Sequence, residues 1–431
     1  MDSGARNLPP EPRAVEETGL NMAFLADLAL KTMYVRGFLM GHEIADAMKL
    51  PFTSVLDKVL DYLRREHLCE VKGSGGFGES SYQYVISDEG RARARELMDH
   101  NQYVGPAPVR LETYVKMVLA QSLTAQTVTQ DTLKRAFSHL VLSQAVLDQL
   151  GPAINSGKSI FLFGAAGNGK TAIAEAIGTL LPGTILIPYA VTVDAHIVKI
   201  FDALHHEPIS KKTSDDETSQ GIQKGERYDR RWMLIRRPLI GVGGELTLEN
   251  LDLVFDPTTK FYEAPYQMKA NGGVFLVDDF GRQQVRPREL LNRWIVPLEK
   301  RVDYLTLATG HKVDVPFDAL IIFATNLNPE ELVDEAFLRR IRYKIHIADP
   351  TWEEYREIFM REAAKKGIPY SEDGLRYIVM EYFVKPKRKP RAVHPRDILD
   401  ELVDIARFRG LPPALTKELL DLACQAYFLK A

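Results

Sequence analysis

The segment Gly164-Ala-Ala-Gly-Asn-Gly-Lys170-Thr171 constrains this chain more than any other. It fits GxxxxGK[ST] without a gap, follows the nearly continuous apolar run Ser159-Ile-Phe-Leu-Phe163, and precedes an amphipathic helix expected over 172–181. Such a run is what a strand buried on both faces of a parallel sheet requires. Strand, glycine loop and helix in this order is the context in which the motif has a mechanism. The glycines let backbone N–H groups wrap phosphate oxygens, and the helix N-terminus adds partial positive charge. Gly164, Ala165, Ala166, Gly167, Asn168, Gly169, Lys170 and Thr171 are therefore the candidate phosphate cradle, in which Lys170 reaches the outer phosphates and Thr171 is a ligand for Mg2+. The nearby Ser156-Gly-Lys-Ser159 lacks the upstream glycine and precedes a strand, so it reads as a turn.

A phosphate loop needs an acidic element from a neighbouring strand, and Val274-Phe-Leu-Val-Asp278-Asp279 supplies one at the sheet edge where ligands sit in such folds. Asp278 is the candidate to hold Mg2+ through water, and Asp279 the candidate to polarise an attacking water. Further buried-strand runs are expected at 184–191, leading into a helix near 196–205, and at 320–324. Their alternation with helices indicates an α/β sheet covered on both faces. The polar stretch 210–231 reads as a mobile loop, and from Trp352 onward only helices are expected.

With 431 residues the chain exceeds what one core usually supports, so two or three domains are expected. The formal net charge of -3 removes the simplest nucleic-acid reading, a large global excess of Lys and Arg. Only Cys69 and Cys424 occur, in no ligand spacing, which argues against a disulfide framework or a zinc site and favours the cytoplasm. No apolar run of about 18 residues exists, so membrane insertion is not expected.

Residues 1–20, with three prolines and several charges, read as a flexible tail. Over 21–103 the pattern gives a helix from Asn21 to near Gly37, helices at 41–50 and 51–67, a hairpin at 69–72 and 81–86 around the glycine-rich tip Gly73-Ser-Gly-Gly-Phe-Gly78, and a last helix at 89–100. This order resembles a winged-helix (α+β) domain. Such domains often read DNA, but residues 21–100 carry ten Lys or Arg against twelve Asp or Glu. DNA affinity rests on local positive charge at phosphates, so a protein contact is the better expectation. A linker and leading helices follow over 104–150.

Over about 125–431 the sequence resembles an AAA+ ATPase, and further features carry that resemblance. Thr325-Asn326, after the run at 320–324, resembles the first sensor, which helps to place the attacking water. Asp334-Glu-Ala-Phe-Leu-Arg339-Arg340-Ile resembles the arginine-finger segment, with Arg340 the better fit and Arg339 the alternative. His394-Pro-Arg396-Asp397 resembles the second sensor, in which Arg396 contacts phosphate from the lid. Ala270-Asn-Gly-Gly-Val-Phe-Leu and the alternating stretch 302–316 are similar to the enhancer-binding, MoxR-type and magnesium-chelatase branch. Where most relatives have Glu at the second acid this chain has Asp279, one methylene shorter.

The resemblance implies an α/β P-loop NTPase core over 151–350, a helical lid over 351–431, and an insertion over about 211–273. It implies ATP and Mg2+ as cofactors, catalytic roles for Asp279, Asn326 and Arg340 or Arg339, and self-association in a ring of about six, because a finger given in trans makes hydrolysis depend on assembly. The expected output is remodelling or assembly of a protein client. A DNA-directed regulator, replication or mobile-element factor is the alternative. Phe261 and Tyr262 in the insertion read either as a target contact or, more simply, as packing, and the basic run Lys385-Pro-Lys-Arg-Lys-Pro-Arg391 either as a phosphate contact or as a solvated loop.

Overall fold

The computed structural model describes residues 8–125, 127–209, 228–332 and 338–428. Its centre is a five-stranded parallel sheet in the order Leu239–Val242, Val274–Val277, Leu320–Thr325, Ser159–Phe163, Tyr343–His346. Alternation along these strands sends two sets of side chains to opposite faces. Ile160, Leu162, Leu276 and Ile322 share one core with Ile173 and Ile177 of the helix Lys170–Leu180. Phe161, Phe275, Ile321 and Phe323 share the other with Phe280 and with Trp294 of the helix Pro287–Lys300. The aromatic set is interlocked: Phe280 meets Phe323 at 5.1 Å and Phe161 at 5.8 Å between ring centroids, both edge-on. Such pairs contribute about 0.5–1.5 kcal/mol each beyond their buried area.

The apolar run at 184–191 does not join this sheet. Thr184–Pro188 pairs antiparallel with Trp232–Arg236, and the sheet's edge position goes to Leu239–Val242 instead. Burial alone does not tell one sheet from another, and Ile185, Leu186 and Ile187 are as buried as a central strand. The helix expected near 196–205 is a strand, His196–Lys199, followed by a turn. It belongs to a second sheet ordered Val254–Phe255, Tyr262–Glu263, His196–Lys199, Ala190–Val193, Val109–Arg110. The segment expected as one insertion over 211–273 thus contains strands of both sheets, and most of the expected loop at 210–231 lies outside the described residues.

Ahead of these lie Met22–Arg36, Gly41–Met48, Asp57–Arg65 and Asp88–His100 as helices, with an antiparallel sheet in the order Leu39–Met40, Tyr82–Ile86, Cys69–Ser74. The third helix begins later than Pro51 because an irregular turn with Ser54 at φ 79° precedes it. The core of this unit runs on into Ala190 and Ile197 of the second sheet. At the other end, Trp352–Lys365, Glu372–Ile378, His394–Phe408 and Lys417–Tyr427 pack around their own core, which includes Phe359, Leu399 and Leu420.

The described part of the expected tail, from Leu8 on, is packed rather than loose. Val15, Thr18 and Leu20 are buried, and Pro9 O accepts from Asp229 N at 2.9 Å. The buried Arg231 is the reason: its guanidinium donates to both carboxylate oxygens of buried Asp229, to Thr18 O at 2.7 Å and to Pro108 O at 3.1 Å. Removing one partner of such a pair leaves an uncompensated buried charge, at a cost of about 3–5 kcal/mol. Arg231→Met is expected to lower the urea midpoint accordingly and to open residues 8–20 to protease; an unchanged midpoint and cleavage pattern would show that the staple does not hold the tail.

Candidate nucleotide-binding site

The phosphate loop leaves Ser159–Phe163 at the C-terminal edge of the parallel sheet and enters the helix Lys170–Leu180. Two of its glycines are required by contact. Gly164 has φ 144°, and a Cβ there would lie 2.2 Å from Ile347 O. Gly167 has φ 82°, and a Cβ there would lie 2.6 Å from Val393 Cγ1. Lys170 Nζ donates to Gly164 O and Ala165 O, each at 3.0 Å. Burial pulls its ammonium below the usual lysine range, an effect opposed by Asp278 and Asp279 and increased by Arg391. Thr171 Oγ1 donates to Asp278 Oδ2 at 2.8 Å, which brings a hydroxyl and a carboxylate oxygen together at the loop. Two hard oxygen donors with room for phosphate and water are what a Mg2+ site needs, so this pair fits that ion.

The two acids sit on a tight turn after Val274–Val277. Asp279, exposed, has φ 47°, and its N–H donates to Asp278 Oδ1 at 2.9 Å. Asn326 follows the neighbouring strand Leu320–Thr325. A cleft of about 530 Å3 is lined by 166–173, Asp278, Asp279, Asn326 and Arg396, so the loop, both acids, Asn326 and the lid arginine meet in one place. Gly164 and Ala165 lie behind the loop, where they face Lys170. Arg396 donates to Asp397 Oδ1 at 2.9 Å from its Nε.

Arg339 and Arg340 do not line this cleft, and Arg340 Nε donates to Glu299 Oε1 at 2.5 Å. Residues 334–337 of the expected finger segment lie outside the described residues. Tyr262 is buried, with its ring 5.0 Å from Phe255, and Phe261 packs edge-on against Tyr103 at 5.6 Å, so both are packing residues. Much of the basic run is engaged internally: Lys385 with Glu381, Arg388 with the Phe428 ring at 3.7 Å, and Arg391 with Asp349.

Sequence reasoning missed the wall opposite the phosphate loop. His139, Leu140, Val141 and Leu142 line it with Ile358, Arg361, Glu362 and Lys365 of the helix Trp352–Lys365. Arg361 joins the two sides by donating to Ser138 O at 2.6 Å. These positions lie more than two hundred residues apart and no motif links them. Asp349 was also missed: its carboxylate accepts from Asn168 Nδ2 at 2.8 Å and pairs with Arg391.

Strand, glycine loop and helix at the edge of a parallel sheet, with acids on the adjacent strand and a helical cover, define an α/β P-loop nucleotide fold with a lid. This is the fold class that the AAA+ resemblance implied. A family described as a domain of unknown function (DUF8689) matches residues 351–426, the helical region. No curated protein matches the chain in sequence. Among solved structures the chain is similar to NtrX from Brucella abortus, at 17% identity and a TM-score of 0.40, over 69% of this chain and 58% of that one. It is also similar to the RuvB Holliday junction branch migration motor of Thermotoga maritima, at 12% identity and a TM-score of 0.37, over 66% of this chain and 69% of that one.

The lid carries a histidine whose charge state is set by its surroundings. His394 Nδ1 accepts from Arg391 N at 3.0 Å, and its ring packs against Phe383, Tyr427 and Phe428. Burial, with Arg391 and Arg388 nearby, lowers its pKa from 6.5 to about 4 against the opposing pull of Asp397 and Asp349. The unfolded chain therefore binds the proton first as pH falls, and stability is complete above 6.5 and declines between 6.5 and about 4. The loss is at most roughly 3 kcal/mol. His394→Gln is expected to flatten that part of the pH–stability curve; identical curves for parent and variant would remove His394 as the cause.

Proposed function

We propose that this protein is a Mg2+-dependent ATPase of the AAA+ type, active as an oligomer, that remodels or assembles a protein partner. One observation carries the reading: Lys170, Thr171, Asp278, Asp279 and Asn326 meet in a single cleft that the helical region closes with Arg396. Bound Mg2+ would supply charge neutralisation between the outer phosphates. Phosphoryl transfer asks for positioning and positive charge more than for covalent help, and the residues divide those tasks. The loop amides and Lys170 hold phosphate, Thr171 and Asp278 hold the metal, Asp279 and Asn326 orient water, and Arg396 brings charge from the lid. Arg340, or Arg339 beside it, then acts on the site of a neighbouring copy. A protein rather than DNA as the partner is supported by the front unit, whose hairpin tip presents a fully exposed Phe77, with Phe38 also exposed, on a slightly acidic background.

Two substitutions test the reading on the whole 431-residue chain. Lys170→Ala should remove saturable nucleotide binding. Arg340→Ala should bind ATP as the parent does yet lose turnover by roughly a thousandfold, the lower end of what arginine fingers contribute. Parent-rate hydrolysis by both Arg340→Ala and Arg339→Ala would refute the finger, and full nucleotide binding by Lys170→Ala would refute the site. For the partner, a salt-dependent mobility shift of duplex DNA by the whole protein would favour the DNA reading instead.

A further inference from the structure

The turn that carries Asp279 is held from both sides by residues that do not line the cleft. Asp279 is in the left-handed backbone region at φ 47°, which is uncommon for a residue with a Cβ and better tolerated by Asp than by most. On one side, Gln283 Nε2 donates to Asp278 O at 2.8 Å while its Oε1 accepts from Gly281 N at 2.8 Å, so one side chain brackets the turn. On the other side, Phe280 is fixed at three points. Its ring is locked between Phe161 and Phe323, its N–H donates to Ala324 O at 2.7 Å, and its carbonyl accepts from Thr325 Oγ1 at 2.6 Å.

Thr325 is fully buried, and its hydroxyl is used twice. It donates to Phe280 O, directly after Asp279, and accepts from Leu327 N at 3.1 Å, directly after Asn326. A single hydroxyl therefore ties the turn bearing one candidate water-orienting residue to the turn bearing the other. None of these bonds involves the phosphate loop.

We propose that Thr325 is a positioning residue for ATP hydrolysis, with Gln283 as its counterpart across the turn. Together they set the separation and orientation of Asp279 and Asn326, which matters more here because an aspartate has one methylene less than a glutamate with which to reach the water. The inference rests on the ATPase reading of the cleft. It separates binding from chemistry: the phosphate loop should bind nucleotide normally while the water is misplaced.

Thr325→Val keeps the shape and deletes the hydroxyl. The expected result is a Kd for Mg2+-ATP within about twofold of the parent with kcat lowered roughly 10- to 100-fold, the cost of misplacing a reacting group by a fraction of an ångström to an ångström. Thr325→Ser, which keeps the hydroxyl, should return most of the lost kcat. Asp279→Asn combined with Thr325→Val should lose less than the product of the two single losses, because Thr325 acts in part through Asp279. Gln283→Met, at a half-buried loop position, should show the same split and serves in place of Thr325→Val if that variant does not fold. Parent-level kcat in Thr325→Val or in its stand-in, equal losses in Thr325→Ser and Thr325→Val, or additive losses in the double variant would each overturn the assignment. A parent that binds ATP without hydrolysing it would overturn the ATPase reading, and the positioning role with it.

Discussion

Parallel pairing of Ser159–Phe163 with a neighbour on each side is the constraint on which the site depends. Phe163 is in register with Thr325 on one side and His346 on the other. Three chain segments therefore leave the sheet at one level: the phosphate loop, the turn after Thr325, and the segment after His346 that runs through Ile347 to Asp349. The loop then has to pass within contact distance of Ile347 O, and Gly164 is the residue that allows it. One strand further out, Val274–Val277 delivers Asp278 to Thr171. The register brings these segments to one edge of the sheet, and it is specified by the buried faces of the strands.

The second dependence is between loop and lid. Val393 N donates to Gly167 O at 2.8 Å, and Asn168 gives its amide to Asp349 and Ala348 while its oxygen accepts from Ala392 N. The tip of the phosphate loop is thus held between the segment after His346 and the start of the helix that carries Arg396. The absence of a side chain at Gly167 lets Val393 approach. On the far wall Arg361 makes the same kind of connection to the backbone at Ser138.

The local parts of the site were legible in the sequence and the relational parts were not. The phosphate loop, the strand before it and the helix after it are contiguous, so their pattern carries their structure. Asp278 and Asp279 could be read from the apolar run they end. By contrast the run at 184–191 has the composition of a central strand, yet pairs with 232–236 in another sheet, since apolar character records burial and not the partner. The true edge strand, Leu239–Val242, is four residues between a proline and two glycines and offers little pattern. His196–Lys199 was misread as helix because alternation over four residues is too short to set a period. The packed stretch from Leu8 to Leu20 was hidden for a different reason: its partners, Asp229 and Arg231, are two hundred residues away. Likewise the wall opposite the loop is assembled from two distant segments whose meeting is a property of the fold.

The central claim is that loop, acids and lid form one site for a Mg2+-nucleotide. Calorimetric titration of the 431-residue chain with ATP, with and without Mg2+, is the direct test. The account predicts saturable binding of one nucleotide per chain, competition by ADP, and weaker binding once Mg2+ is chelated. An absence of saturable heat up to about 1 mM ATP, the upper end of ordinary working affinities, would contradict it.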